Sequence, residues 1–230
     1  MMQSAKLTLK GAIIMLLQKE REEIVAFGKL MLSSGLTRGT GGNLSIFNRE
    51  KGLMAISPSG IPYEQTEVED VVIMDLDGNI VEGDRVPSSE NVMHAIVYKK
   101  RDDVDAMVHV HSTYATTISC LNESLPAVDY LVAFAGGKEV PCAKYATFGT
   151  PELAENAIEA MGSLNAVLLA NHGMNCVAKD MSTAFAIAEQ LEFCAELYVR
   201  ARSIGTPVIL DDAEMERMLV RFSNYGQRKK

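Results

Sequence analysis

Three features that would assign a chain to a large class of proteins are missing from this 230-residue sequence. No apolar run reaches the length of about 20 residues that a helix needs to cross a bilayer. Basic residues are in the minority, and the formal net charge of −8 argues against the positive patches that bind nucleic acid or anionic membranes. There is also no nucleotide signature of the G-x-x-x-x-G-K or G-x-G-x-x-G type. We therefore expect a soluble protein without a membrane or nucleic-acid partner.

Cysteine is scarce, and its spacing argues against a disulfide framework. None of the four cysteines forms a Cys-x-x-Cys pair, and each lies in apolar surroundings; they are Cys120, Cys142, Cys176 and Cys194. This pattern is typical of buried, reduced thiols in a cytoplasmic protein. We therefore expect a cytoplasmic location.

The length and composition fit one globular domain. A hydrophobic content of 47% with 23% charged residues is enough for a sizeable core, and no linker or repeat divides the chain. The short apolar run 12–17 is followed by charged residues without a cleavage site, so it does not resemble a signal peptide. We expect residues 1–14 to be an N-terminal extension and residues 15–230 to form the domain.

Apolar periodicity and capping residues predict alternating helices and strands. The predicted helices cover 16–33, about 88–100 with Ser88 or Ser89 as its cap, 112–121, 151–161, 181–201 and 211–224. One predicted strand directly follows the turn at 39–42. The other predicted strands cover 53–56, 71–74, 80–81, 105–111, 140–142, 166–170 and 175–177. No state is predicted for 127–137. This order indicates an α/β domain with a largely antiparallel or mixed sheet.

Three of the four histidines and one glutamate suggest a metal site. His109 and His111 alternate with valines, so on a strand both imidazoles leave the same face. His172 precedes a glycine, and Glu90 follows two serines at the start of a predicted helix. Three imidazoles and a carboxylate suit zinc or another borderline divalent ion. Two packed strand histidines and an acid that complements a helix dipole are the alternative interpretation. His94, one helical turn after Glu90, is expected outside the ligand shell.

Small polar segments provide candidates for a phosphate site. Each could be a simple turn, but Ser88 and Ser89 adjoin Glu90 at a helix N-terminus, where free amide groups favour an anion. The candidate phosphate-binding residues are Gly42, Asn43, Ser59, Gly60, Ser88 and Ser89. A phosphate held beside a metal indicates a phosphorylated sugar as substrate.

Taken together, these motifs resemble the class II aldolase/epimerase family. The shared segments are Gly-Thr-Gly-Gly-Asn-Leu-Ser (39–45), Ser-Pro-Ser-Gly-Ile-Pro-Tyr (57–63), Pro-Ser-Ser-Glu (87–90), Val-His-Val-His-Ser (108–112), Ala-Gly-Gly (135–137), Tyr-Ala-Thr-Phe-Gly-Thr (145–150) and Asn-His-Gly (171–173). They cover nearly the whole chain in the family's order. Within the family, the chain looks most like the L-fuculose-1-phosphate aldolases.

The resemblance implies a fold, a metal and an assembly. The fold is a three-layer α/β/α sandwich around a mostly antiparallel central sheet, assembled as a homotetramer with active sites between subunits. Zinc, or Mn²⁺ or Co²⁺, would be held by Glu90, His109, His111 and His172. Tyr130 would reach a neighbouring subunit's site as a proton donor. The resemblance also marks Tyr225, Phe148 and Phe134 as candidate substrate contacts.

The resemblance also implies a reaction. It is the reversible cleavage of a ketose 1-phosphate, such as L-fuculose 1-phosphate, to dihydroxyacetone phosphate and an aldehyde through an enediolate. Glu90 would transfer the proton at the dihydroxyacetone carbon. The related ribulose-phosphate 4-epimerases carry Asp after Ser-Ser, so Glu90 favours an aldolase. An aldolase for another ketose 1-phosphate, including a 5-deoxyketose, remains open, as does a 4-epimerase. An adducin-like binding module is disfavoured because all four ligands are present.

Overall fold

A computed structural model describes residues 8–9, 12–13 and 15–222 of the chain. Its strands are β1 (Thr8–Leu9), β2 (Ala12–Ile13), β3 (Asn43–Asn48), β4 (Leu53–Ile56), β5 (Val72–Asp75), β6 (Ile80–Glu82), β7 (Ala106–Val110), β8 (Leu125–Pro126), β9 (Glu139–Val140), β10 (Cys142–Ala143), β11 (Ala166–Leu169) and β12 (Gly173–Ala178). Its α-helices are α1 (Gln18–Ser33), α2 (Asn91–Lys100), α3 (Thr113–Ser119), α4 (Pro151–Met161), α5 (Met181–Ile204) and α6 (Asp212–Phe222). Short 3₁₀ helices cover Tyr63–Gln65, Val68–Asp70 and Tyr130–Ala135.

Eight strands form one central sheet in the order β10-β11-β12-β7-β3-β4-β5-β6. Only the β10–β11 pair is parallel; the other pairs of this sheet are antiparallel. The two small antiparallel pairs β1–β2 and β8–β9 lie outside it. The prediction of a mostly antiparallel sheet is therefore confirmed.

The sheet separates two hydrophobic cores, which makes three layers. On one face, residues of α1, α3 and α5 pack in a core with Val108 and Val110 of β7. On the other face, residues of α2 and α4 pack in a second core with Met107. All five residues of β7 are buried, because helices cover both faces of this central strand. This arrangement confirms the predicted α/β/α sandwich, and it places the strand that carries His109 in its middle.

Two local predictions are wrong. Helix α2 begins after Glu90, which is its N-cap, so neither Ser88 nor Ser89 caps it. The Ser88 hydroxyl instead accepts the backbone N–H of Glu90 at 3.3 Å, within the turn before the helix. The predicted strand 140–142 is divided between β9 and β10 at Pro141, whose nitrogen has no hydrogen for a ladder.

The cysteines fit the predicted environment only in part. Cys176 and Cys194 are buried and Cys142 is half-buried, but Cys120 is exposed at the end of α3. The prediction of four buried thiols is wrong for Cys120, because apolar neighbours in sequence do not bury a residue that lies at the C-cap of a helix. All four thiols are free.

The ends of the chain leave two predictions untested. Most of residues 1–14 lie outside the described residues, so the boundary between an extension and the domain stays a prediction. The last predicted helix is described to Phe222, and Tyr225 lies outside the described residues. Within the described part of the chain, every helix is too short or too polar to cross a bilayer.

Candidate active site

Four side chains from separate parts of the chain meet at one end of the central strands. Glu90 precedes α2, His109 lies on β7, His111 follows β7, and His172 lies in the turn between β11 and β12. Pairing of β12 with β7 places Met174 opposite Val110, which brings this turn beside His111. One potential ligand atom from each of the four residues lies within 4.8 Å of the others. The cluster predicted from the sequence is therefore formed.

The side-chain nitrogens and oxygens of this cluster point at one another. The Nε2 atom of His109 lies 2.9 Å from Nε2 of His111 and 3.1 Å from Oε2 of Glu90. The Nε2 atom of His172 lies 3.4 Å from the other carboxylate oxygen, Oε1. Three imidazole nitrogens and a carboxylate thus converge on one point.

This arrangement fits a divalent cation. Glu90 Oε1 is buried without a hydrogen-bond partner, and an unsatisfied buried carboxylate oxygen is costly. An ion among the four groups would satisfy that oxygen and accept a lone pair from each of the converging imidazole nitrogens. Three imidazoles with one carboxylate are ligands of zinc and similar ions.

The electrostatics of the cluster prepare its side chains as ligands. Burial lowers the pKa of His111 to about 4, with the charge of His109 acting in the same direction. Burial and His109 likewise lower the pKa of His172 to about 4. Burial alone would raise the pKa of the Glu90 carboxyl, but His109, His172 and a hydrogen bond from Asn43 hold it well below its usual range. At neutral pH, Glu90 is therefore a carboxylate, and His111 and His172 are neutral imidazoles. Burial alone would lower the pKa of His109, but its contact with the Glu90 carboxylate raises it.

A cleft of about 330 Å³ opens beside this cluster. All six candidate phosphate-binding residues line it, as do three of the four candidate ligands and Phe148. The full lining is Thr40, Gly41, Gly42, Asn43, Pro58, Ser59, Gly60, Ser88, Ser89, Glu90, His111, Tyr145, Ala146, Phe148, Asn171 and His172. His109 is fully buried beside Glu90.

Two candidates from the sequence are not part of this cleft. Tyr130 is 48% exposed in its 3₁₀ helix, and its ring stacks on Phe222 at 6.2 Å between centroids. Phe134 packs on the same ring at 4.7 Å and does not line the cleft. Any substrate contact of these two residues therefore lies at a different site from the cleft of their own chain.

The structure also adds residues that the sequence did not single out. Tyr145, 60% exposed, and Asn171 line the cleft. Both belong to segments that resemble the family, Tyr-Ala-Thr-Phe-Gly-Thr and Asn-His-Gly, so the resemblance could have identified them as site residues. Asn175 on β12 accepts a hydrogen bond from Nδ1 of His109 at 2.8 Å, and no local sequence motif points to it.

Two glycines allow the backbone to pass close to the candidate ligand histidines. A Cβ at Gly173 would lie 2.3 Å from the carbonyl oxygen of Val110, the residue between His109 and His111. A Cβ at Gly42 would lie 2.6 Å from the carbonyl oxygen of His109, and its φ of +69° also favours glycine. Larger residues at these positions would push apart the strands that hold the cluster.

Comparison with known proteins identifies the family. The family model of the class II aldolase and adducin N-terminal domain matches residues 22–199, which is more than half of the chain. The chain belongs to this family. As a class II aldolase it is a member of a metal-dependent group, and the cluster of Glu90 and the three histidines is the candidate site for the metal.

Individual proteins named as aldolases are similar to the chain over nearly their whole length. The chain is 59% identical to the 5-deoxy-D-ribulose 1-phosphate aldolase of Bacillus thuringiensis serovar kurstaki, over 93% of this chain and 100% of that protein. It is 41% identical to the L-fuculose phosphate aldolase of Escherichia coli strain K12, over 86% of this chain and 91% of that protein. A solved L-fuculose 1-phosphate aldolase superposes with a TM-score of 0.87 at 52% identity, covering 89% of this chain and 96% of the other.

Proposed function

We propose that this class II aldolase catalyses the reversible cleavage of a ketose 1-phosphate to dihydroxyacetone phosphate and an aldehyde. The observation that carries the proposal is the juxtaposition of the Glu90–histidine cluster with the serine- and glycine-lined cleft. A phosphate held in that cleft would place the adjacent ketone beside the cluster.

The proposed substrate is a ketose 1-phosphate whose chain ends in a methyl group. 5-Deoxy-D-ribulose 1-phosphate is the first candidate, supported by 59% identity to an aldolase of that name, and L-fuculose 1-phosphate is the second, supported by the solved structure. Both sugars share the dihydroxyacetone phosphate half and differ in the aldehyde. Tyr145 and Phe148, both more than half exposed at the cleft, offer aromatic surface to a terminal methyl.

Release of dihydroxyacetone phosphate from a panel of phosphorylated sugars tests this proposal. The panel contains both candidate substrates and a ketose 1-phosphate with a terminal hydroxyl. L-Ribulose 5-phosphate is assayed separately for inversion at C4, because 4-epimerase activity releases no dihydroxyacetone phosphate. We expect the highest kcat/KM for 5-deoxy-D-ribulose 1-phosphate. Epimerisation of L-ribulose 5-phosphate without cleavage of any ketose 1-phosphate would contradict the proposal.

The phosphate would be held by side-chain hydroxyls and backbone amides. Ser59, Ser88 and Ser89 supply hydroxyls, while Gly42, Asn43 and Gly60 bring backbone close to the cleft. Ser88 and Ser89 precede α2, whose N-terminal amides favour an anion. Binding a group remote from the broken bond positions the reacting carbons and excludes water from them.

The cluster would hold Zn²⁺, with Mn²⁺ or Co²⁺ as substitutes, through His109, His111, His172 and Glu90. Such an ion supplies a Lewis acid that stabilises the negative charge left on the substrate oxygens after cleavage. Glu90 would move the proton at the dihydroxyacetone carbon. It has the form that this role requires, because its lowered pKa keeps it a carboxylate and Oε1 lacks a hydrogen-bond partner.

Asn175 gives the metal proposal a test. Its Oδ1 accepts from Nδ1 of His109, which leaves Nε2 of that ring as the ligand atom, while its Nδ2 contacts Met93 Sδ at 3.2 Å. We expect Asn175→Leu to weaken Zn²⁺ binding about 10- to 100-fold, as loss of such a partner does elsewhere. Asn175→Asp keeps the acceptor and serves as the control. Competition with a chromophoric chelator measures both, and unchanged affinity in Asn175→Leu would contradict the proposed orientation.

Tyr130 would act on the departing aldehyde's hydroxyl oxygen in a neighbouring subunit of a homotetramer. Its exposed position away from its own cleft supports a role across an interface. We expect Tyr130→Phe and His111→Ala variants each to have low activity alone. Co-assembled subunits should recover activity at sites that combine a normal Tyr130 with a normal metal cluster. Verified mixed oligomers without recovery would refute the role in trans.

A further inference from the structure

Five polar side chains form a continuous buried line beneath the cleft. Tyr98 Oη lies 2.6 Å from Ser45 Oγ, which lies 2.6 Å from His94 Nδ1. His94 Nε2 lies 2.5 Å from Asn43 Oδ1, and Asn43 Nδ2 donates to Glu90 Oε2 at 3.0 Å. None of the five residues is more than 5% exposed, and Ser45 and His94 are fully buried. The line therefore joins the second core to the proposed catalytic carboxylate without passing through solvent.

The chemistry of the two ends determines the orientation of the Asn43 amide. The Glu90 carboxylate only accepts, so it requires the NH₂ group of Asn43. The amide oxygen then faces His94, so Nε2 of that ring must be the donor. The reverse orientation would set the amide oxygen against the carboxylate and the NH₂ group against an N–H. Glu90 and His94 thus select the same orientation of the Asn43 amide.

The inner half of the line has a defined direction as well. Burial, with the nearby charge of His109, lowers the pKa of His94 to about 3, so the ring is neutral at physiological pH. With the proton on Nε2, Nδ1 is an acceptor and the Ser45 hydroxyl donates to it. The Tyr98 hydroxyl donates to the Ser45 hydroxyl or to the Ser45 carbonyl, both within reach. From Ser45 onward, each member donates toward Glu90.

We propose that His94 is a positioning residue that holds the Asn43 amide with its donor toward Glu90, and so holds the carboxylate at the metal cluster. This inference rests on the proposed function of Glu90. The contacts of Glu90 Oε2 explain why such a positioning residue is needed. This oxygen contacts Asn43 on one side and His109 on the other. A carboxylate that both binds an ion and transfers a proton needs one anchor that does not depend on the ion. Without His94, the Asn43 amide is free to rotate, and that anchor is lost.

A double-mutant cycle on metal binding tests the proposal. Zn²⁺ affinity of the full-length protein is measured by chelator competition for His94→Leu, Asn43→Ala and the double variant. We expect each single change to weaken binding about 10-fold or more, in the range known for such supporting partners. Because His94 acts through Asn43, the double variant should be no weaker than Asn43→Ala alone. Additive losses would overturn the proposal.

Two further variants separate positioning from mere stability. Tyr98→Phe removes the outermost hydroxyl, so we expect a lower unfolding temperature with unchanged Zn²⁺ affinity. His94→Gln keeps an N–H donor and should recover part of the affinity lost in His94→Leu. For His94→Leu, kcat for ketose 1-phosphate cleavage should fall more than KM rises, because the serine hydroxyls and the Asn43 backbone proposed to hold the phosphate are unchanged.

The other possible outcomes of these measurements also test the proposed role of His94. Unchanged Zn²⁺ affinity in His94→Leu, with only a lower unfolding temperature, would reduce His94 to a structural residue. If His94→Leu does not fold, unchanged Zn²⁺ affinity in Asn43→Ala would overturn the proposal by itself. The metal readout is independent of the reaction: a wild-type protein that cleaves no ketose 1-phosphate would refute the proposed function and leave these affinities interpretable.

Discussion

Glu90→Gln is expected to lower the rate of ketose 1-phosphate cleavage by about 10³-fold, within the range that a positioned acid–base group contributes. An amide cannot accept a proton, but it keeps the shape of the carboxylate and one oxygen that can bind a metal. We therefore expect a large loss of kcat in a folded protein that still contains metal. Steady-state kinetics together with metal analysis measure both properties.

The control for Glu90→Gln is the same chemical change outside the cleft. Glu152 is an exposed acid in the first turn of α4 and does not line the cleft, so Glu152→Gln removes one negative charge from a residue outside it. It should retain the wild-type rate. Turnover of Glu90→Gln at the rate of this control would show that Glu90 has no part in proton transfer.

Removal of the metal is expected to abolish cleavage. The purified protein should contain about one divalent ion per subunit, because residues 15–222 contain one cluster of four candidate ligands. A chelator should remove activity that added Zn²⁺, Co²⁺ or Mn²⁺ restores, and His111→Ala should lose both metal and activity. The reason is that His111 contributes one of only three imidazole nitrogens, and its ring also lines the cleft. Metal analysis before and after chelation measures the metal content and its removal.

Ser89→Ala is the matched control for His111→Ala. Ser89 lines the same cleft but belongs to the proposed phosphate site, so its loss should raise KM while the metal content stays unchanged. Full activity of the protein in a chelated, metal-free state would contradict the metal-dependent mechanism.

Much of the site could be predicted because it depends on local patterns. The alternation of His109 and His111 with valines marks a strand with both rings on one face, and β7 has that form with Val108 and Val110 in the core. The serine pair before Glu90 indicated a helix N-terminus, and α2 follows it. Where competing local contacts decided the outcome, the predictions failed, as with the cap of α2 and the strand divided at Pro141.

The sequence by itself therefore determined which residues are the candidates for the chemistry: four candidate ligands, a set of candidate phosphate-binding residues and the order of helices and strands around them. Only the tertiary structure decided how those residues are supported. The bonds of His94 to Asn43 and of Asn175 to His109 join residues 51 and 66 positions apart. Periodicity reports which face of a strand or helix a side chain occupies, since that depends on neighbours in sequence. Which distant side chain it meets depends on the order of strands in the sheet, and that order results from packing of the whole chain.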